Sequence, residues 1–186
     1  MCGRFALFSE DKIKNKFNIN IKPNFNISPN QLVTTINEKK QIVSLRWGIK
    51  PEWLKGILIN ARYETIEEKK TFKNTKRCIF IADGYFEWKK EKGKKVPYYH
   101  FLDNKLLFFA GIYDDTGCCV VTRESFVYLS SIHNRQPFFL KENQINFWLD
   151  GKNIEYVYDD IINFHEVSDS VNKIWNNSPR LITKRN

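Results

Sequence analysis

The stretch Cys78–Thr122 reads CIFIADGYFEWKKEKGKKVPYYHFLDNKLLFFAGIYDDTGCCVVT. Cys78 to Ala82, Tyr85 to Trp88, Val96 to Leu102, Leu106 to Tyr113 and Cys118 to Thr122 are short runs rich in β-branched and aromatic residues. Such residues fit a pleated, half-buried surface. Turn chemistry separates the later runs: Glu91 to Lys95 around Gly93, Asp103-Asn104, and Asp114 to Gly117. These connections are too short for helical crossovers, so neighbouring runs pair as hairpins. The stretch predicts a largely antiparallel sheet.

Working outward, Gln31 to Ile36 and Gln41 to Trp47 add two strand-like runs. Ser9, followed by Glu10 and Asp11, opens a short helix that carries Ile13 and Phe17 on one face. Thr65 and Glu68 have capping-box spacing and predict a second helix through the charged residues to Lys73. Ile145, Trp148 and Leu149 give a third helix its apolar face before Gly151 stops it. The segment Phe164 to Asn186 carries Pro179 and a basic end that reads as frayed. No repeat or Pro/Gly/Ser-rich linker divides the chain. The expected fold is α+β, a β-rich, curved, mainly antiparallel sheet with a few peripheral helices in one domain over residues 1–186.

Hydrophobic residues make up 42% of the chain and aromatic residues 15%, enough to exclude disorder and to leave rings over for stacking on bases. A net charge of +9 suits a polyanionic partner, although Lys with Asn and Ile can also reflect genome base composition. The four cysteines, Cys2, Cys78, Cys118 and Cys119, form no CxxC pair and no Cys/His spacing of a zinc site, so no metal or other cofactor is expected. Neither a signal peptide nor an apolar run of about 18 residues is present, which predicts a cytosolic protein with reduced thiols.

Four places carry candidate chemistry. Removal of Met1 would turn Cys2 into an N-terminal 1,2-aminothiol, whose amine can condense with an aldehyde and whose thiol can then close a thiazolidine ring. The reference pKa values of both groups, about 8, leave each partly nucleophilic near neutrality. Asn60-Ala61-Arg62-Tyr63-Glu64 places an amide, a guanidinium and a carboxylate at a helix entrance. There Arg62 either grips phosphate or pairs with Glu64. Glu87, between Phe86 and Trp88, is either a desolvated acid or an outward strand carboxylate beside Lys89 and Lys90. His133, before Asn134-Arg135-Gln136-Pro137, is either a proton carrier or structural, whereas His100 and His165 read as structural.

In order and wording these segments resemble the SRAP family, the SOS response-associated peptidases and their abasic-site-binding relatives. The resemblance runs through Met1-Cys2-Gly3-Arg4-Phe5, Phe25-Asn26-Ile27-Ser28-Pro29, Arg46-Trp47-Gly48, Asn60 to Thr65, Ala82 to Trp88, His133-Asn134-Arg135 with Pro137, Val167-Ser168, Val171-Asn172 and Ser178-Pro179. It covers almost the whole chain. Gln136 departs from the Met or Arg of many relatives, and Leu54 stands where some carry a second Trp after Trp53.

The resemblance implies a sensor that cross-links covalently to abasic sites in single-stranded DNA, a lyase-like activity preceded by peptidase-like removal of Met1. It implies that Glu87 acts as general acid/base, that His133 assists sugar-ring opening and release, and that Asn60 orients Cys2 and the sugar. Arg4, Arg62 and Arg135 would hold phosphates, and Trp53, with Trp47 nearby, would stack on a base. A monomer is expected, near replication-fork proteins and, in a bacterium, the nucleoid. A thiol peptidase built on Cys2 and a non-covalent single-stranded DNA binder are the rival readings.

Overall fold

A computed structural model describes residues 2–156 and 158–185. Met1, the residue expected to be removed, lies outside the described residues. The described chain has the expected α+β character, with its strands arranged in two sheets rather than one closed ring.

The first sheet contains β1 (Phe5–Leu7), β2 (Asn24–Ile27), β7 (Gly84–Glu91), β8 (Lys94–Phe101) and β12 (Asn163–Glu166), in the order β12-β8-β7-β1-β2. The second contains β3 (Leu32–Ile36), β4 (Ile42–Arg46), β6 (Lys76–Ala82), β9 (Leu107–Asp114), β10 (Gly117–Glu124) and β11 (Arg135–Pro137), in the order β11-β10-β9-β6-β3-β4. The short β5 (Asn60–Arg62) adds to β10 in parallel, whereas the other pairs of these strands are antiparallel. The hairpins predicted from turn chemistry are present. Lys92 and Gly93 both take the left-handed conformation, joining β7 to β8 in a two-residue turn between Glu91 and Lys94.

The chain crosses between sheets at Asp83, the single residue between β6 and β7. This buried carboxylate accepts hydrogen bonds from the Phe8 and Ser9 backbone N–H groups, at 2.6 and 2.9 Å, and from the Ser9 hydroxyl. It therefore sits at the N-terminal end of α1 (Glu10–Phe17), where helix dipole and unpaired N–H groups favour negative charge. Ser9 does not cap the helix with its own side chain. At Gly84 a Cβ would lie 2.4 Å from the Tyr99 hydroxyl oxygen and 2.5 Å from the His100 carbonyl oxygen, so only glycine fits the corner.

Between the sheets lies an aromatic core in which Phe5 packs on Trp47, Phe80 and Phe109, and Tyr85 packs on Phe109 and Phe139. A smaller cluster covers the other face of the first sheet, with Phe86 and Tyr99 against Val167, Val171 and Leu181. His100 stacks on Tyr85 and Phe164, and burial lowers its pKa to about 3, so it serves packing as a neutral ring. His165 accepts its place through a 2.9 Å contact between Nε2 and the Ile182 carbonyl oxygen.

Two expectations are corrected. Thr65 to Lys73 is not a regular helix but two short 3₁₀ turns, Tyr63–Thr65 and Lys70–Phe72. Its buried apolar residues, Ile66 and Phe72, are six apart and do not share a helical face, so packing gives an α-helix no support. The C-terminal segment is not frayed through residue 185: Leu181 is buried, and the Arg185 N–H donates to the Glu166 carbonyl oxygen at 2.9 Å. The third predicted helix is α2 (Glu142–Leu149), which buries Trp148 and Leu149. The Trp148 indole N–H lies 2.9 Å from the Cys78 carbonyl oxygen.

Candidate active site

Register builds the site. Phe5 pairs with Tyr85 and Ala6 with Gly84, while the Phe86 N–H donates to the Arg4 carbonyl oxygen at 2.9 Å. Antiparallel pairing thus carries the residues before Phe5 along β7 toward Glu87 and Trp88. Glu87 shares a face with Tyr85, the face covered by the intersheet core, and is 3% exposed. The outward-facing alternative is overturned. Burial pushes the Glu87 carboxyl up to about 7, so near neutrality it exists in both protonation states.

Cys2 is fully buried. Its carbonyl oxygen accepts a 2.9 Å hydrogen bond from Asn60 Nδ2, delivered by β5, which β10 positions through the Val120–Asn60 register. Asn60 Oδ1 is buried with no hydrogen-bond partner among the described residues, an acceptor left for a further donor. Burial, reinforced by the negative charge of Glu87, pushes the Cys2 thiol pKa far upward. The reference thiol value used above therefore does not hold at this position, where the S–H form prevails.

His133 follows a turn in which Ile132 N–H donates to Leu129 O at 2.9 Å. Its Nδ1 lies 3.0 Å from the Arg135 backbone nitrogen and 3.2 Å from the Arg135 carbonyl oxygen, so it accepts from the N–H in one tautomer and donates to the carbonyl in the other. Partial burial, with the positive charges of Lys90 and Arg135 nearby, lowers its pKa, so the neutral ring is favoured at pH 7. Arg135 itself does not extend into solvent. It forms a bidentate pair with Glu64 at 2.7 and 2.9 Å and donates to the Thr122 carbonyl oxygen at 2.6 Å. Of the two readings of Arg62, the pair with Glu64 is not formed, since Glu64 pairs with Arg135 and Arg62 is exposed at the end of β5.

Arg4 is likewise engaged, with Nη1 at 2.7 Å from both Asn26 Oδ1 and the Val171 carbonyl oxygen. Asn26 is buried, and its Nδ2 reaches the Lys173 and Asn176 carbonyl oxygens at 3.0 and 2.8 Å. This one amide ties β2 to the arginine and to the loop after the 3₁₀ turn Asp169–Asn172. Asn26→Ala is expected to destabilise the fold by about 3 kcal/mol, because it strands several buried polar groups at once. Denaturant unfolding, compared with Asn26→Asp, measures the loss; a change below about 1 kcal/mol would contradict the bridging role.

Glu87, Trp88, Lys90, Lys95, His133 and Asn172 line a cleft of about 570 Å³. The structure thus brings Glu87 and His133 to one cavity and joins Cys2 to Asn60, with the charge of Glu87 felt at the thiol. Trp53 is 70% exposed, whereas Trp47 is fully buried and donates from Nε1 to the Ile59 carbonyl oxygen at 3.0 Å. Trp47 therefore cannot offer a ring face to a base and belongs to the core. Among the described residues no cluster of His, Cys, Asp or Glu could hold a metal, and no helix is long and apolar enough to cross a membrane.

The model of the family described as SOS response associated peptidase (SRAP) matches residues 1–174. The chain belongs to the SRAP family. It is 37% identical to the abasic site processing protein YoqW of Bacillus subtilis, over 98% of this chain and 99% of that protein. It is 33% identical to the abasic site processing protein YedK of Escherichia coli, over 80% of this chain and 79% of the relative. A crystal structure of a protein from Bacteroides thetaiotaomicron superposes with a TM-score of 0.83 at 21% identity, covering 99% of this chain and all of the other.

Within this SRAP chain several residues that shape the site carry no isolated sequence signal. Gln136 is buried; its Oε1 accepts from the Phe126 N–H at 2.8 Å and so fixes the turn leading to His133. Trp88 donates from Nε1 to Asn172 Oδ1 at 2.9 Å, joining two walls of the cleft. Alternation around Trp88 and the Asn26 and Asn172 motifs marked these places, but not their contacts.

Proposed function

We propose that this chain processes abasic sites in single-stranded DNA by capturing the lesion covalently on Cys2 after Met1 is removed. The names of its relatives support the substrate class. The observation that carries the chemistry is Glu87, buried beside the chain end with a carboxyl that titrates at about 7.

Protonated Glu87 gives its proton to the ring oxygen of the closed sugar while neutral His133 takes the proton of the anomeric hydroxyl, which opens the sugar to the aldehyde. The Cys2 amine attacks the aldehyde carbon, and the resulting carbinolamine loses water to give an imine. The thiol then adds to the imine carbon, its proton passing through Glu87 to the ring nitrogen as the thiazolidine closes. Atoms and charge balance with one water released. Asn60 holds the Cys2 carbonyl oxygen and offers its unpaired Oδ1 to a sugar hydroxyl or the new amine. Arg62 and Trp53, both exposed, supply phosphate and base contacts. Arg4 and Arg135 support the walls through their protein partners.

A thiol peptidase would need a resting thiolate, which burial and the Glu87 charge disfavour. The test mixes processed protein with single-stranded DNA carrying one abasic site and runs a denaturing gel. A shifted band is expected with that DNA, but neither with undamaged DNA nor with protein retaining Met1. Equal binding to both DNAs without a covalent band would favour the non-covalent binder, and Cys2-dependent cleavage of a generic peptide would favour the peptidase.

A further inference from the structure

Two features at the cleft have no role in the chemistry above. Lys90 and Lys95 stand directly opposite each other on β7 and β8, both exposed and both lining the cavity that holds Glu87 and His133. Like charges facing across a ladder destabilise it, and an anion between them removes that cost. Asn172, which also lines this cavity, leads into Lys173-Ile174-Trp175, where Ile174 is 55% and Trp175 79% exposed. So large an exposed ring normally marks a contact surface.

The shelf carrying Trp175 is held in place. Asn26 reaches the carbonyl oxygens of Val171, Lys173 and Asn176, and Asn177 Oδ1 accepts from the Phe25 N–H at 2.7 Å. Val171 is buried against the first sheet, and the Trp88–Asn172 hydrogen bond ties the shelf to the lysine-bearing hairpin. A backbone fixed in this way lowers the ordering cost when a flat ligand lands on the ring it carries.

We infer that the lysine pair and Trp175 form a subsite for one nucleotide flanking the abasic sugar. Its phosphate sits between Lys90 and Lys95, and its base stacks on Trp175. The occupant follows from charge complementarity and from continuity with the reactive cleft. Stacking on a ring accepts every base, so the subsite adds affinity and strand path without sequence preference. The assignment rests on the proposed function.

The test uses processed Cys2→Ala protein and fluorescent single-stranded DNA containing tetrahydrofuran, an abasic analogue with no aldehyde, in a titration at several salt concentrations. Trp175→Ala is expected to weaken binding about 10-fold and Trp175→Phe to restore most of it. Lys90→Gln with Lys95→Gln is expected to lower the salt slope by roughly 0.7, the single-strand value for one phosphate contact. The charge-matched pair Lys12→Gln with Lys14→Gln on α1 should leave a steeper slope. If the unsubstituted cleft binds this DNA but Trp175→Ala and the Lys90/Lys95 variant bind equally well, the subsite is refuted and the proposed function stands. If the parent protein fails to bind, both fall.

Discussion

Processed Cys2→Ala protein is expected to give no stable cross-link to abasic single-stranded DNA, at least about 100-fold less denaturation-resistant product than the parent at equal times. The substitution keeps the α-amine, so an imine can still form; what disappears is the neighbouring sulfur that closes the ring. Borohydride reduction should therefore recover a band from Cys2→Ala that is absent without the reductant. An untreated Cys2→Ala band as strong as the parent's would remove the thiol from the product. Asn60 makes the comparison a clean one, because it grips the backbone carbonyl oxygen of residue 2 and not its side chain.

Glu87→Gln is expected to slow cross-linking by 10²- to 10³-fold, within the usual range for loss of a positioned acid/base. The carboxyl, raised by burial to about 7, donates a proton below that pH and accepts one above it. The parent's rate should thus peak near neutrality, between loss of the acid form and the need for an unprotonated amine. Glutamine lacks that ionisation, and its profile should keep only the limb set by the amine.

Stability gives an independent readout with a fixed sign. The folded-state pKa lies above the ordinary carboxyl value of 4.5, so the carboxyl's contribution is fully present below about 4.5 and is lost as pH rises through about 7. Glutamine mimics the protonated form. Glu87→Gln should therefore stabilise the protein at pH 8, by on the order of 2 kcal/mol, and change little at pH 4. Equal unfolding midpoints of parent and variant at pH 8 would show that Glu87 is not a desolvated carboxylate in the folded protein.

Local chemistry made the hairpins legible: Lys92-Gly93 and the Asp114 to Gly117 turn specify their own connections. The strands missing from the sequence reading, β1, β2, β5, β11 and β12, are three or four residues long and exist only through distant partners. Asn60 pairs with Val120, and no periodicity within three residues can announce that. Glu87 was visible as a carboxyl among aromatics, but its direction depended on which face of β7 the second sheet would cover. Residue type alone likewise does not show that Arg4 and Arg135, the implied phosphate ligands, already hydrogen-bond to Asn26 and Glu64. Trp47 illustrates the same ambiguity for a ring, and only packing assigns it to the interior.

The burial of Cys2 bears on how long the reactive end can persist in an oxidising or alkylating environment. Peroxide and electrophiles attack the thiolate, and at this position both solvent access and ionisation are suppressed while the chain still carries Met1. The thiol of the unprocessed chain is thus kept in reduced form, and a passing oxidant meets an inert sulfur.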